Sequence, residues 1–264
     1  MISSIGRAAS GDLMVSPTRI IFEGRNRTAQ VGLINRGSTT ATYRVGFTQY
    51  RMQPDGNLMV IDQANERERF ADHLIRYTPR QVTLAPNGSQ IVRLMLRKPA
   101  ELEAGEYRSH LWFYAIPDAA ASNDIERHDT PTDDGFSVSL QTIFSISIPV
   151  IVRHGELNAE FSIHDVQLNN NATPSLNLTL QRQGNRSVYG DLDVFHHLTD
   201  TEQPVLVGHI KDLVLYTSHD YRQLELALQQ PADRRLDQGR LLIRYQATED
   251  NLEGLLASYE LALP

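Results

Sequence analysis

One segment constrains this chain more than any other: Phe136 to Arg153, reading FSVSLQTIFSISIPVIVR. Apolar side chains occupy every second position from Phe136 to Val152, with Thr142 the single polar member of the series. Through the first half the positions between them are mostly Ser or Gln: Ser137, Ser139, Gln141, Ser145 and Ser147. A strand sends successive side chains to opposite faces, so this period of two predicts one apolar and one polar face. Strands commonly run about 5–6 residues, whereas this run extends over roughly 15 or more at strand spacing. A strand that outruns its own domain, with apolar side chains to spare, points to a segment lent to another protein.

The rest of the composition narrows the options mainly by exclusion. A length of 264 residues corresponds to about two domains. No apolar run is long enough to cross a membrane as a helix. A formal net charge of -7 argues against nucleic acid as a partner. The absence of cysteine excludes disulfides, thiolate zinc sites and cysteine nucleophiles. Lys98 and Lys211 are the only lysines, and the other basic residues are arginines, which suit fixed carboxylate pairing better. His196, His197 and the scattered histidines lack metal-ligand spacing with carboxylates. Neither a phosphate-cradling glycine loop nor a nucleophile elbow is present. Acidic residues gather in polar loops, such as Asp133-Asp134, with no apolar setting to raise a pKa for glycosidase chemistry. The expectation is a non-enzyme with no cofactor, no metal and no small-molecule substrate.

Short alternating runs separated by turn residues fill the chain. In the first part they read as strands over Leu13–Glu23, Thr28–Asn35, Thr40–Tyr50, Leu58–Ile61, Gln81–Leu84, Gln90–Arg97, Tyr107–Ile116 and Phe136–Arg153. Turn chemistry lies between them at Gly24, Arg36-Gly37-Ser38, Pro54-Asp55-Gly56-Asn57 and Pro86-Asn87-Gly88. Ala64–His73 reads as a short helical turn, and the polar stretch Asp118–Gly135 as a mobile loop. Arg153-His154-Gly155-Glu156 reads as a hinge, giving domains 1–153 and 154–264. Strand-like runs continue over Ala159–Leu168, Ser175–Gln181, Ser187–His196, Pro204–Tyr216, Arg222–Leu228, Gly239–Ala247 and Leu255–Leu263. Strands at this spacing predict an all-β protein of two immunoglobulin-like sandwiches.

Four motifs, in order, carry a resemblance to a known family. They are Val15-Ser16-Pro17-Thr18-Arg19-Ile20-Ile21-Phe22-Glu23-Gly24, Pro79-Arg80-Gln81-Val82-Thr83-Leu84-Ala85-Pro86 followed by Gln90-Ile91-Val92-Arg93-Leu94, Glu106-Tyr107-Arg108-Ser109-His110-Leu111-Trp112-Phe113-Tyr114-Ala115-Ile116-Pro117, and the long strand ending Ile148-Pro149-Val150-Ile151-Val152-Arg153. With them the chain resembles the PapD-like periplasmic chaperones of chaperone–usher pili, as a divergent branch. The match covers nearly all of the first domain and is looser in the second, mainly at Gly184-Asn185-Arg186-Ser187-Val188-Tyr189-Gly190-Asp191-Leu192.

The resemblance implies two immunoglobulin-like domains set as an L or boomerang, and partners that are pilin or fimbrial subunits and an outer-membrane usher. It implies donor-strand complementation, in which Phe136, Val138, Leu140, Thr142 and Phe144 enter the groove of a subunit lacking its last strand, Thr142 being the weak plug. Arg19 matches the family's cleft arginine that holds the subunit's C-terminal carboxylate. The family's second anchor, a lysine, falls at Pro149 here, a departure from the pattern. Glu106 and Arg153 match an interdomain salt bridge whose further partner is an Asp of the second domain, with Asp220 and Asp191 as candidates. The implied compartment is the periplasm, with the export signal absent from this sequence, since Met1 to Leu13 is too polar to serve as one. Self-association through the free edge strand is a further expectation. The alternative reading is a structural or adhesive two-domain immunoglobulin-like protein of a surface assembly.

Overall fold

The computed structural model describes residues 13–117, 145–199, 201–230, 235–249 and 252–264. The loop expected over Asp118–Gly135 and the donor residues Phe136, Val138, Leu140, Thr142 and Phe144 lie outside them. The described residues divide into two compact units, one within Met1–Gln49, Phe70–Glu101 and Arg108–Val152, the other within Tyr50–Arg69, Leu102–Tyr107 and Arg153–Pro264.

The chain is all-β, apart from one 3-10 turn at Asp72–Leu74 among the described residues. Its strands are β1 (Leu13–Ser16), β2 (Ile20–Phe22), β3 (Thr28–Asn35), β4 (Ala41–Thr48), β5 (Tyr50–Met52), β6 (Leu58–Val60), β7 (Ile75–Thr78), β8 (Gln81–Leu84) and β9 (Ser89–Leu96). They continue as β10 (Gly105–Ile116), β11 (Ser145–His154), β12 (Ala159–Asn169), β13 (Ser175–Gly184), β14 (Tyr189–His197), β15 (Val205–Val214), β16 (Tyr221–Ala227), β17 (Arg240–Glu249) and β18 (Leu252–Ala262).

In the first unit, sheet β1-β3-β9-β7 packs against sheet β2-β11-β10-β4-β8. Alternation sets the core. On β9, Val92, Leu94 and Leu96 are buried while Ile91, Arg93 and Met95 face out. Phe22, Val31, Leu33, Tyr43, Val45, Leu111 and Phe113 complete the same interior.

Two prolines mark places where the chain changes sheets. The single strand expected over Leu13–Glu23 is two strands, with β1 antiparallel to β3 in one sheet and β2 parallel to β11 in the other. Pro17 lies between them, and a residue without an N–H cannot continue a ladder. Pro79 separates β7 from β8 in the same way. Of the helical turn expected over Ala64–His73, the structure has a single turn closed by Glu68 N donating to Asn65 O at 3.1 Å and the 3-10 turn at Asp72–Leu74. The charged stretch before it offers few apolar anchors to hold a helix against a core.

The second unit pairs sheet β12-β13-β16 with sheet β15-β14-β17-β18. Of its seven consecutive strands, the first, second and fifth form one sheet and the rest the other, an immunoglobulin-like plan. Leu176, Leu178 and Leu180 from β13 meet Leu192 and Val194 from β14 and Leu241, Ile243 and Tyr245 from β17 in one buried cluster. The hairpin β5-β6 belongs to this unit because it is stitched to β16. Gln223 N donates to Pro54 O at 2.7 Å, and the Arg222 guanidinium fills the space that a Cβ on Gly56 would need.

Tyr245 is fully buried, and its hydroxyl lies 2.9 Å from Val188 O and 3.1 Å from Leu213 O. Tyr245→Phe removes that bond while keeping the ring, so urea melts are expected to show a loss of about 1–2 kcal/mol.

Candidate functional site

The described part of the long strand, β11, turns Ile148, Val150 and Val152 into the core, as expected for Ile146 to Val152 from their place nearest the hinge, while Ile146 itself is half-buried. Ser145 is exposed, and Ser147 and Pro149 are half-buried. On one side β11 neighbours β10; on the other it neighbours β2. The second pairing is short. β2 meets β11 only at Val150–Ile20, Ile151–Ile21 and Val152–Phe22. Among the described residues, therefore, the N-terminal half of β11, Ser145 to Pro149, has a neighbouring strand on the β10 side and none on its β2 side.

Arg19 sits where the β2 pairing begins. It is half-buried and directly precedes Ile20, just as Pro149 directly precedes Val150, so the two share a register position on neighbouring parallel strands. Pro149 contributes neither an ammonium nor an amide N–H there. On β10, Phe113 is buried in the core, whereas Trp112 and Tyr114 are half-buried with ring centroids 4.9 Å apart at 30°.

The C-terminal end of β11 supplies a second, buried cluster, all of whose members fall in the second unit. Arg153 Nε lies 3.3 Å from Glu106 Oε2, with side-chain exposures of 2% and 0%. The expected Glu106–Arg153 pair is thus formed, and it has a further acid that is neither Asp220 nor Asp191. Arg153 grips Glu249 through both ends of its fork, Nη1 to Oε2 at 2.8 Å and Nη2 to Oε1 at 2.9 Å. Arg186 Nη2 adds a contact to Glu249 Oε2 at 3.1 Å. The backbone completes the enclosure: Ser187 N donates to Glu106 at 3.0 Å, Tyr189 N to Glu249 at 3.0 Å, and Arg153 Nη2 to Ser187 O at 2.7 Å.

Two carboxylates and two guanidiniums balance, which is what lets ions be buried. Burial pushes the Glu249 carboxyl up. The Arg153 fork, the Tyr189 amide and Arg186 outweigh that and hold it below the usual carboxylate range. Asp220 instead meets Arg67, and Asp191 accepts from Asp212 N at 2.9 Å. Gly155, just past β11, has φ 74, and a Cβ there would come within 2.5 Å of Ala104 Cβ, so the position requires glycine.

Glu249 and Arg186 escaped the sequence reading. The alternating run that reveals β17 was read as ending at Ala247, and an acid just past a strand reads as solvated. Nothing in the local pattern ties Glu249 to an arginine 96 positions away. Among the described residues no group of His, Cys, Asp and Glu has a metal-binding arrangement.

No family model matches the chain, and no curated protein is similar to it. Solved structures are. The YadV chaperone is 12% identical with a TM-score of 0.48, over 96% of this chain and 100% of that one. The CupB2 chaperone of Pseudomonas aeruginosa is 13% identical with a TM-score of 0.46, over 95% of this chain and 100% of that one. The chaperone–tip adhesion subunit complex CsuC–CsuE, from archaic chaperone–usher Csu pili of Acinetobacter baumannii, is 12% identical with a TM-score of 0.45, over 94% and 97%.

Proposed function

We propose that this chain is a periplasmic, non-enzymatic chaperone that caps pilin or fimbrial subunits by lending them a strand and passes them to an outer-membrane usher. The observation that carries the reading is that, among the described residues, β11 lacks a strand on its β2 side over Ser145 to Pro149, a stretch continuous in sequence with the alternating run from Phe136. In this reading residues 1–153 form the domain that carries the donor strand and residues 154–264 the second domain.

The energetics support a strand loan. A subunit groove open to water invites aggregation through its unpaired edge and apolar lining. Backbone pairing with the donor satisfies the edge, and alternate side chains fill the groove. Burying Phe136, Val138, Leu140 and Phe144 contributes on the order of 6–12 kcal/mol gross, at about 1.5–3 each. Lost freedom on association offsets much of this. That leaves a complex tight enough to protect and loose enough to hand over. In the free protein the donor strand pairs with a second copy.

Arg19 holds the subunit's terminal carboxylate, for which its planar fork is the geometric match. With proline at position 149, Arg19 works without a second side-chain cation from that position. Arg19→Ala is expected to cut the yield of purified chaperone–subunit complex about tenfold or more. The melting temperature stays nearly unchanged, because the residue is only half-buried. An unchanged yield removes Arg19 from the site.

A further inference from the structure

The β1-β3-β9-β7 sheet has an outward face unlike the rest of the molecule. The chain holds 32 acidic residues and a net charge of -7, yet these four strands contain no Asp or Glu. Their outward positions carry Arg76 on β7 and Arg93 on β9, and Arg97 follows β9; all three are exposed. Among the described residues none of the three takes part in an ion pair. More cations stand where β3 begins and β9 ends, at Arg27 and Lys98. The Lys98 ammonium is pushed below its usual range, first by burial and then by the charge of Arg27.

Apolar surface is interleaved with these charges. Ile91 and Met95 on β9 are 45% and 47% exposed. The register sets Arg76 opposite Met95 and Thr78 opposite Arg93. Two grooves flank Arg93: one of ≈ 460 Å³ reaches Arg76, Met95 and Arg97, the other of ≈ 470 Å³ reaches Ile91 and Gln90.

We propose that this face docks an extended acidic segment of a protein partner, with carboxylates and small apolar side chains at alternate positions. The spacing matches such a segment. Arg76 and Arg93 are diagonal cross-strand neighbours, about 7–8 Å apart, near the ~7 Å between alternate side chains on a strand. Arg93 and Arg97, four residues apart, repeat the match at about 13 Å. Carboxylates then meet arginine forks, while the residues between them lie against Ile91 and Met95. A lipid surface fits less well, since these four strands contain no Trp, and their one Tyr, Tyr77, stands opposite buried Leu94 on the inner face. Strand lending uses the other sheet of this unit, so both events proceed on one molecule.

The test is fluorescence anisotropy of the full chain with a labelled Glu-Val repeat peptide of about eight residues, long enough to span Arg93 to Arg97. Acetylated and amidated ends leave no terminal carboxylate for Arg19. The expected result is saturable binding that weakens with salt and is absent for the Gln-Val counterpart. Arg76→Ala/Arg93→Ala weakens it about tenfold with an unchanged melt, while Arg19→Ala and Leu140→Glu bind like the parent. Equal binding of the Gln-Val peptide, or full binding by the double variant, overturns the proposal. So does binding to phosphatidylglycerol vesicles with none to the peptide, which would make the face a membrane site.

Discussion

An Arg153→Met variant is expected to be about 3–5 kcal/mol less stable than the parent at neutral pH. The side chain is 2% exposed and touches two buried carboxylates, Glu106 and Glu249. Methionine of similar length fills the space but leaves both carboxylates without their shared cation. Arg186, at 3.1 Å from Glu249, compensates in part. The Glu106 carboxylate keeps the backbone N–H and the hydroxyl of Ser187. Neither replaces a bidentate fork. The loss is expected to depend on pH. Glu249 titrates below its ordinary range when folded, so its contribution is complete above the unfolded value, near 4.5, and is lost as pH falls through the folded one. In the variant that carboxylate gains a proton more readily, and a neutral acid is cheaper to bury. Urea melts at pH 7 and pH 4 should therefore show a wide gap between parent and variant that narrows in acid. A gap under about 1 kcal/mol at pH 7, the range of solvated pairs, would mean the cluster is open to water.

How far local pattern reaches into this fold depends on the element. The strands Thr28–Asn35 and Gln81–Leu84 have the bounds that alternation and turn residues predict, because each buries one face against a single core. The division of Leu13–Glu23 into β1 and β2 was not legible. Pro17 marks where a ladder must break, but which sheet each half joins is decided by neighbours far away in sequence. The strand β7, Ile75–Thr78, is no shorter than Gln81–Leu84, but it follows a charged stretch with no glycine or proline to mark its start, and it is set by pairing with β9. Glu106 and Arg153 were nameable from motif resemblance, not from spacing. Glu249 had no such precedent, and Asp220 and Asp191 were acids of the right type in the wrong place. The position of Arg19 beside Pro149 needed the parallel register of β2 and β11.

The larger functional effect is expected from Leu140→Glu. Leu140 is the middle one of the five proposed donor residues, Phe136 to Phe144. In the proposed complex its side chain sits deep in the subunit's apolar groove, where an unpaired carboxylate costs several kcal/mol to bury. Capture should fall by about a hundredfold or more, since each 1.4 kcal/mol is a factor of ten. The decisive measurement is co-expression, in an exported form, with the pilin-like proteins encoded beside the chain, followed by purification of the complex. A one-to-one complex with the parent, lost in a Leu140→Glu variant that melts like the parent, is the predicted result. Full capture by Leu140→Glu, or a variant whose first domain unfolds because Leu140 belongs to its own core, would contradict the strand loan.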